Sequence, residues 1–364
     1  MDLPPIEESN ASKKRFIYCA ESGFFKHAIP ATKGGNNNDF ASLVSDHKAL
    51  GMKSLDCGLI LSTNAHIWGA IFPILNYGNI AQQNTYLEKL LDGKLISGHA
   101  ITEPQAGSDL NALTMTAEIK NNIFILNGHK RFITNTPIAD VMIVYACIEN
   151  ALTAFIIHAD DNGVKFLDNP TVNGCITAPM GDIILDNCRI PLTRQLGKTG
   201  AGKIILQQAL ELERAFIFAG ISGVMEWQLE SIIEYSRQRI VNDRHLGKQQ
   251  AISHKIAEMK LRLDTIKLWV NECARLKDNN KRISLTSAQT KLFASEAFLQ
   301  SSLDSVHIMG GSGLLNDNPL LMLVNDALAS RLFSGSSEIQ KNIIAALLGT
   351  GEGFKTVGRN PKPL

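Results

Sequence analysis

Residues 97–196 carry a series of short runs rich in β-branched and aromatic side chains, at 123–126, 131–134, 141–147, 153–158, 164–167 and 183–185. No helical spacing separates them. This block constrains the fold more than any other feature of the chain. Strands this close together, without helices between them, point to an antiparallel barrel or sandwich. Asn127-Gly128 stands between the first two runs. Both residue types accept positive φ, so the spacing predicts a two-residue hairpin turn there.

The flanks read differently. From about 13 to 95 the pattern is helical, broken at Ile29-Pro30 and Gly34-Gly35 and by a loop at 36–39. The stretch 55–76 is strongly apolar and reads as one or two buried helices, while 86–91 is amphipathic and stops at Asp92-Gly93. Beyond about 200 the helical pattern returns. Ile252, Ile256, Met259, Leu263, Ile266 and Val270 alternate steps of four and three, laying one apolar stripe along a long bundle helix. Core packing accounts for that stripe without any ligand. More helices are expected at 288–306, 320–332 and 337–348, and the tail after Gly349 is expected to fray. Helices, then strands, then helices make an α+β chain. The expected division is an N-terminal α-helical domain at 1–96, a middle β domain at 97–197 and a C-terminal helical domain at 198–364.

Bulk properties exclude several classes. A net charge of +1 over 364 residues gives no basic face for nucleic acid or an anionic membrane. No apolar run reads as long enough to span a bilayer. The start, Met1-Asp2-Leu3-Pro4-Pro5, lacks the basic and apolar regions of a secretory signal. Six cysteines lie scattered with no CxxC pair, which argues against zinc and for reduced thiols in the cytoplasm.

Two strings of small and hydroxyl residues carry the chemistry. Ile101-Thr102-Glu103-Pro104-Gln105-Ala106-Gly107-Ser108-Asp109 precedes the strand block, and Leu332-Phe333-Ser334-Gly335-Ser336-Ser337-Glu338 lies near the C-terminus. A loop of small residues brings backbone N–H groups close to a pyrophosphate; an ordinary capped turn is the structural alternative. Together the strings resemble the two flavin-contacting signatures of the acyl-CoA dehydrogenase family. The resemblance runs from about 23 to 348, and the first helix looks shortened. It implies a helical N-terminal domain, a middle antiparallel β-barrel-like domain and a C-terminal four-helix bundle, with FAD as cofactor. By that likeness Ile101 and Thr102 lie against the isoalloxazine ring. Gly107 and Ser108 then lie near the phosphates, with Ser108 also on the thioester arm.

Phe132-Ile133-Thr134 resembles the family's Trp-Ile-Thr, so Phe132 is implied to stack on the flavin and Thr134 to bond it; a plain core aromatic is the alternative for Phe132. Further matches imply contacts to FAD held by a neighbouring subunit, hence a homodimer or homotetramer. Arg239 and Gln250 are among them, although Asn242 stands where the family has Phe. His307, Gly310 and Gly311 match Gln-x-x-Gly-Gly-x-Gly with His307 at the Gln position. Ser336 and Glu338 match the residues touching the ADP part, and a helix N-terminal charge is the alternative for Glu338.

Family members remove an α-proton with a carboxylate while flavin accepts the β-hydride. The base often precedes the Gly of the C-terminal signature, but here that position is Ser334, and a hydroxyl is too weak a base. Isovaleryl-CoA dehydrogenases keep a small residue there and carry the Glu in a Leu-Glu-Arg context. Leu210-Glu211-Leu212-Glu213-Arg214 matches that context and makes Glu213 the candidate base. A surface ion pair is its alternative. Glu211 points about 200° away on the same helix. Leu206, Ala209, Leu210, Phe216 and Ile217 are expected to raise the pKa of Glu213. Arg214 is assigned to orient the site and substrate, and Glu103 to structure alone.

The leading expectation is FAD-dependent α,β-dehydrogenation of an acyl thioester carried by CoA or a carrier protein, with electron-transfer flavoprotein or oxygen as acceptor. An oxidase or monooxygenase on the same fold, and a non-catalytic binder of a thioester or partner, stand as alternatives.

Overall fold

The computed structural model describes residues 3–5, 10–168 and 172–351. The tail beyond residue 351, where fraying was expected, lies outside them. Helices α1 (Ala11–Glu21), α2 (Phe40–Ser54), α3 (Cys57–His66), α4 (Phe72–Tyr77) and α5 (Ile80–Leu91) come first. A π-helical turn, Ile67–Ile71, joins α3 to α4. The Asp39 carboxylate caps α2 by accepting from Ser42 N at 2.8 Å. Asn79 and Gln82 form a reciprocal capping box on α5, which ends at Asp92 with Gly93 at φ 69°.

Strands follow: β1 (His99–Ala100), β2 (Thr116–Lys120), β3 (Ile123–Thr134), β4 (Val141–Ile148), β5 (Ala151–His158), β6 (Val164–Asp168), β7 (Met180–Pro191) and β8 (Gln195–Leu196). They make one eight-stranded sheet in the order β6-β7-β3-β2-β4-β5-β8, with β1 beside β4. Pairing is antiparallel except where β1 and β2 meet β4. The expected hairpin at Asn127-Gly128 is not there. β3 runs through it, and the turn lies earlier, at Asn121 (φ 50°) and Asn122 (φ 61°) between β2 and β3. Gly128 instead sits at a register shift in the β3–β7 pairing, where an added Cβ would meet Met115 Cγ at 2.8 Å. An Asn-Gly pair fits a bulge as well as a turn.

The C-terminal part is α6 (Gly202–Gln238), a small hairpin of β9 (Ile240–Val241) and β10 (Arg244–His245), then α7 (Gln250–Asp278), α8 (Ser284–Met309), α9 (Pro319–Ser330) and α10 (Ser337–Leu347). On α7, Met259, Leu263, Ile266 and Val270 are buried, and Ile252 and Ile256 pack partly buried against the same core.

β4 explains why its sequence looked uniformly apolar. Val141, Ile143 and Tyr145 join the core shared with the helices, while Met142, Val144 and Ala146 fill a second core within the sheet. The expectation that no segment could span a bilayer needs correcting. Cys57–Tyr77 is long and apolar enough by length and composition, but 94% of its apolar window is buried inside the protein. It is a core helix.

Candidate active site

The 101–109 loop leaves β1 and is pinned to β3. Arg131 N donates to Thr102 O at 2.8 Å. Lys130 Nζ, fully buried, donates to Ile101 O at 2.9 Å and to Glu103 Oε1 at 2.7 Å. Glu103 also accepts from Thr114 N, Thr114 Oγ1 and Met115 N. Burial pushes this carboxyl up, but Lys130 and the backbone donors outweigh it and hold it at about 2. Glu103 is a fastening, in keeping with the structural role expected of it.

Near its end β3 bulges. Lys130 pairs with Ile183 and Ile133 with Gly181, so Arg131 and Phe132 together oppose Asp182. Phe132 takes φ 56°, and its N–H donates to Asp182 Oδ1 at 3.3 Å. The bulge turns its ring outward, 51% exposed, which excludes the core alternative.

Against these loops stand α3, α6 and the 332–336 segment. They enclose a cleft of about 280 Å³. From the β side it is lined by His99, Ile101, Thr102, Gly107, Ser108, Phe132 and Thr134; from the helical side, by Leu61, Ala65, Leu210, Glu213, Arg214, Ser334 and Ser336. The Thr102 and Thr134 hydroxyls have no hydrogen-bond partner among the described residues, and a Cβ added at Gly107 would meet open space.

Glu213 is the only carboxylate among the cleft's lining residues, and it is 4% exposed. Ser334 Oγ donates to its Oε1 at 2.8 Å, and His99 Nε2 stands 3.3 Å from its Oε2. Arg214 Nε donates to Ser334 O at 2.8 Å. Burial pushes the Glu213 carboxyl up, but the His99 imidazole, the Ser334 hydroxyl and the Arg214 guanidinium together hold it below the usual carboxylate value. The expected upward shift is therefore overturned: the neighbours are apolar in sequence, but the atoms at the carboxylate are not. Glu211 faces elsewhere and accepts from Ser284 Oγ at 2.5 Å.

A second cavity, of about 540 Å³, is lined by Arg239, Tyr235, Met309, Gly310 and Gly311 among others. Gln250, His307 and Glu338 line neither cavity. Gln250 opens α7, His307 lies exposed in the last turn of α8, and Glu338 sits in the first turn of α10. Asn242 is the first turn residue of the β9–β10 hairpin, at φ 51°.

Sequence reasoning missed His99 and the donor role of Ser334. Nothing in local spacing ties either to Glu213; only the fold brings three segments together. It also missed Lys291, buried on α8, whose Nζ donates to Arg331 O at 2.9 Å and which burial, with Arg214 nearby, lowers to about 7. One metal-like cluster exists among the described residues: His158, Asp160 and Asp161. Arg194 already supplies a cation there, 3.2 Å from His158 Nδ1 and 3.4 Å from Asp161 Oδ2.

Three family models match in chain order: acyl-CoA dehydrogenase N-terminal domain over residues 5–94, middle domain over 98–188 and C-terminal domain over 200–349. The chain belongs to the acyl-CoA dehydrogenase family. It is 34% identical over 339 residues to an L-prolyl-[peptidyl-carrier protein] dehydrogenase of Pseudomonas fluorescens, covering 91% of this chain and 89% of that protein. It is 34% identical over 294 residues to the mitochondrial isovaleryl-CoA dehydrogenase of Pongo abelii, covering 78% and 69%. Among solved structures, the prolyl acyl carrier protein oxidase AnaB superposes with a TM-score of 0.91 at 36% identity, covering 94% of this chain and 93% of that one. PigA with FAD and proline does so with 0.90 at 32%, covering 93% and 89%. As an acyl-CoA dehydrogenase family member the chain is an oxidoreductase, with the three-part fold of that family.

Proposed function

We propose that this chain is an FAD-dependent dehydrogenase that introduces a double bond between Cα and Cβ of an acyl thioester, with Glu213 as the base. The observation that carries the reading is the buried Glu213 carboxylate in the cleft between sheet and bundle, which Thr102, Phe132 and Thr134 also line. The cleft suits a flavin. It offers a half-exposed aromatic ring, two hydroxyls free to bond a polar ring edge and an open glycine cradle. Ile101, Thr102, Phe132 and Thr134 hold the ring system; Gly107 and Ser108 hold the phosphates. Bound FAD supplies the two-electron acceptor that takes the β-hydride.

The chain's own residues do the proton work. Glu213 Oε2, 3.3 Å from His99 Nε2 but with no closed hydrogen bond, receives the α-proton. Arg214 and Ser108 orient the thioester, and the packed helices exclude water from the carboxylate. Arg239, Gln250, His307, Gly310, Gly311, Ser336 and Glu338 serve the ADP end of FAD across a subunit contact, in a homodimer or homotetramer. The domains divide as 1–96, 97–197 and 198–364. The acyl group rides on a phosphopantetheine arm, which CoA and carrier proteins share. The prolyl carrier-protein relatives favour a carrier-bound aminoacyl group. Six free thiols, five of them buried, suit the cytoplasm.

The protein should purify yellow and bleach anaerobically with prolyl carrier protein or butyryl-CoA, whichever is the better donor. Glu213→Gln should keep the flavin and lose about 10³-fold in turnover. Wild-type turnover in that variant would sink the assignment. Rapid reoxidation of the bleached enzyme by air would name oxygen as the acceptor; slow reoxidation would name electron-transfer flavoprotein.

A further inference from the structure

Both oxygens of Glu213 are met by side chains from outside its own helix, and the two sources lie on opposite sides of the cleft. Oε1 accepts the Ser334 hydroxyl from the 332–336 segment, and Oε2 faces His99 Nε2 from β1. The imidazole is itself wedged in place. The π-turn brings Gly69 against it, and a Cβ there would stand 2.8 Å from His99 Cγ and 3.0 Å from its N. The glycine in this π-turn lets the backbone come directly against the ring. His99 Nδ1 is buried without a partner among the described residues. A bare lone pair tolerates that position better than an N–H does, so the ring carries its proton on Nε2, toward the carboxylate. The reverse tautomer would bury an unpaired N–H and set two lone pairs face to face.

Resting on the assignment of Glu213 as base, we infer that His99 and Ser334 form a two-point clamp that aims the carboxylate for proton abstraction. His99 is a positioning residue that acts through Glu213. Ser334, at the position where many relatives carry the base, supplies the second donor. The backbone around the hydroxyl is held in turn: Arg214 Nε and Gln340 Nε2 both donate to Ser334 O, and Ser334 itself sits at φ 55°. The charged and titratable groups facing Glu213 are His99 from β1 and Arg214 from α6; Arg214 in turn faces Glu211 and, on α8, Lys291. The α3 side contributes only Leu61 and Ala65 to the cleft. Removing His99 therefore leaves burial less opposed, and the carboxyl titrates higher.

The test uses the flavin-loaded protein and reads the ionisation of Glu213 in two ways. Infrared titration follows the band of the protonated buried carboxyl, assigned by its loss in Glu213→Gln; it needs no substrate. The second readout is the acidic limb of kcat/KM with prolyl carrier protein or butyryl-CoA. In His99→Phe both should move up by about one pH unit, and His99→Gln, which keeps a donor, should return them toward wild type. Gly69→Ala, which displaces the ring without removing it, should move them the same way. If His99→Phe and Gly69→Ala titrate as wild type while Glu213→Gln is inactive, the clamp is wrong and the base stands. If Glu213→Gln retains turnover, the base assignment fails and the clamp with it.

Discussion

Asp326 on α9 is a carboxylate that the fold holds against its preference. Its Oδ1 accepts from Cys175 N at 2.6 Å, but no cation pairs with it among the described residues, whereas nearby Asp56 lies 3.0 Å from Arg15 Nη2. Burial pushes Asp326 up to about 6, only partly opposed by the Cys175 and Cys57 donors. The folded state therefore binds this proton more tightly than the unfolded chain does. Stability falls as pH rises from the ordinary carboxylate value of 3.8 to about 6, and the penalty is constant above that. Two pH units correspond to about 3 kcal/mol, and partial exposure reduces this to about 2 kcal/mol. Asp326→Asn keeps an oxygen for Cys175 N and removes the charge. Urea unfolding should show the variant more stable by about 2 kcal/mol at pH 8 and nearly equal to wild type at pH 4. An equal difference at both pH values would show that something other than this ionisation is responsible.

At the scale of elements, the decisive joint is the one between the 101–109 loop and β3, through Lys130 and Glu103. Both side chains are buried, at 0% and 3% exposure, so removing one strands the other. Lys130→Met should cost about 3–5 kcal/mol and weaken flavin retention, because Ile101 O loses its donor as well. Lys130→Met with Glu103→Gln should recover part of that loss. A double variant no more stable than the single one, by urea midpoint, would refute the coupling. The carboxyl sits at about 2, so its contribution is present above the usual carboxylate value and disappears as pH falls through about 2. These elements were unevenly legible. The α7 stripe and the α5 stop at Asp92-Gly93 were readable because periodicity and capping are local. The TEP-x-AGSD string was readable because its residue order is specific. The hairpin was misplaced because Asn127-Gly128 carries the same chemistry in a bulge as in a turn, while the actual turn, Asn121-Asn122, has no glycine to mark it. β7 was seen only at 183–185 because its outer half, with Asp186, Asn187 and Arg189, is polar and carries no apolar run.

At the scale of the molecule, one apolar core runs from Phe16 in α1 through Val141 in β4 to Leu323 in α9, so the N-terminal helices and the bundle are not separate bodies. The cleft depends on this. Leu61 from α3, His99 from β1, Glu213 from α6 and Ser334 beyond α9 meet only if the three parts are packed together, and no local pattern in the sequence records such a meeting. A close seam lies between α2 and α6. A Cβ at Gly51 would fall on the Gly220 carbonyl oxygen, and one at Gly223 would fall on that of Lys48. The two backbones touch there, with no flexible side chain between them to give way. Gly51 is helical, so alanine there carries no backbone strain of its own and would favour an isolated helix by up to about 1 kcal/mol. If propensity decided the outcome, Gly51→Ala would stabilise the protein. Overpacking against a main-chain oxygen should win instead, lowering stability by about 2 kcal/mol or more. Because α6 also carries Glu213, prising α2 from it should lower turnover at 25 °C as well, while leaving the pH dependence of Glu213 unchanged. A Gly51→Ala protein that melts at or above the wild-type temperature would mean that the seam is loose and that the cleft is assembled without it.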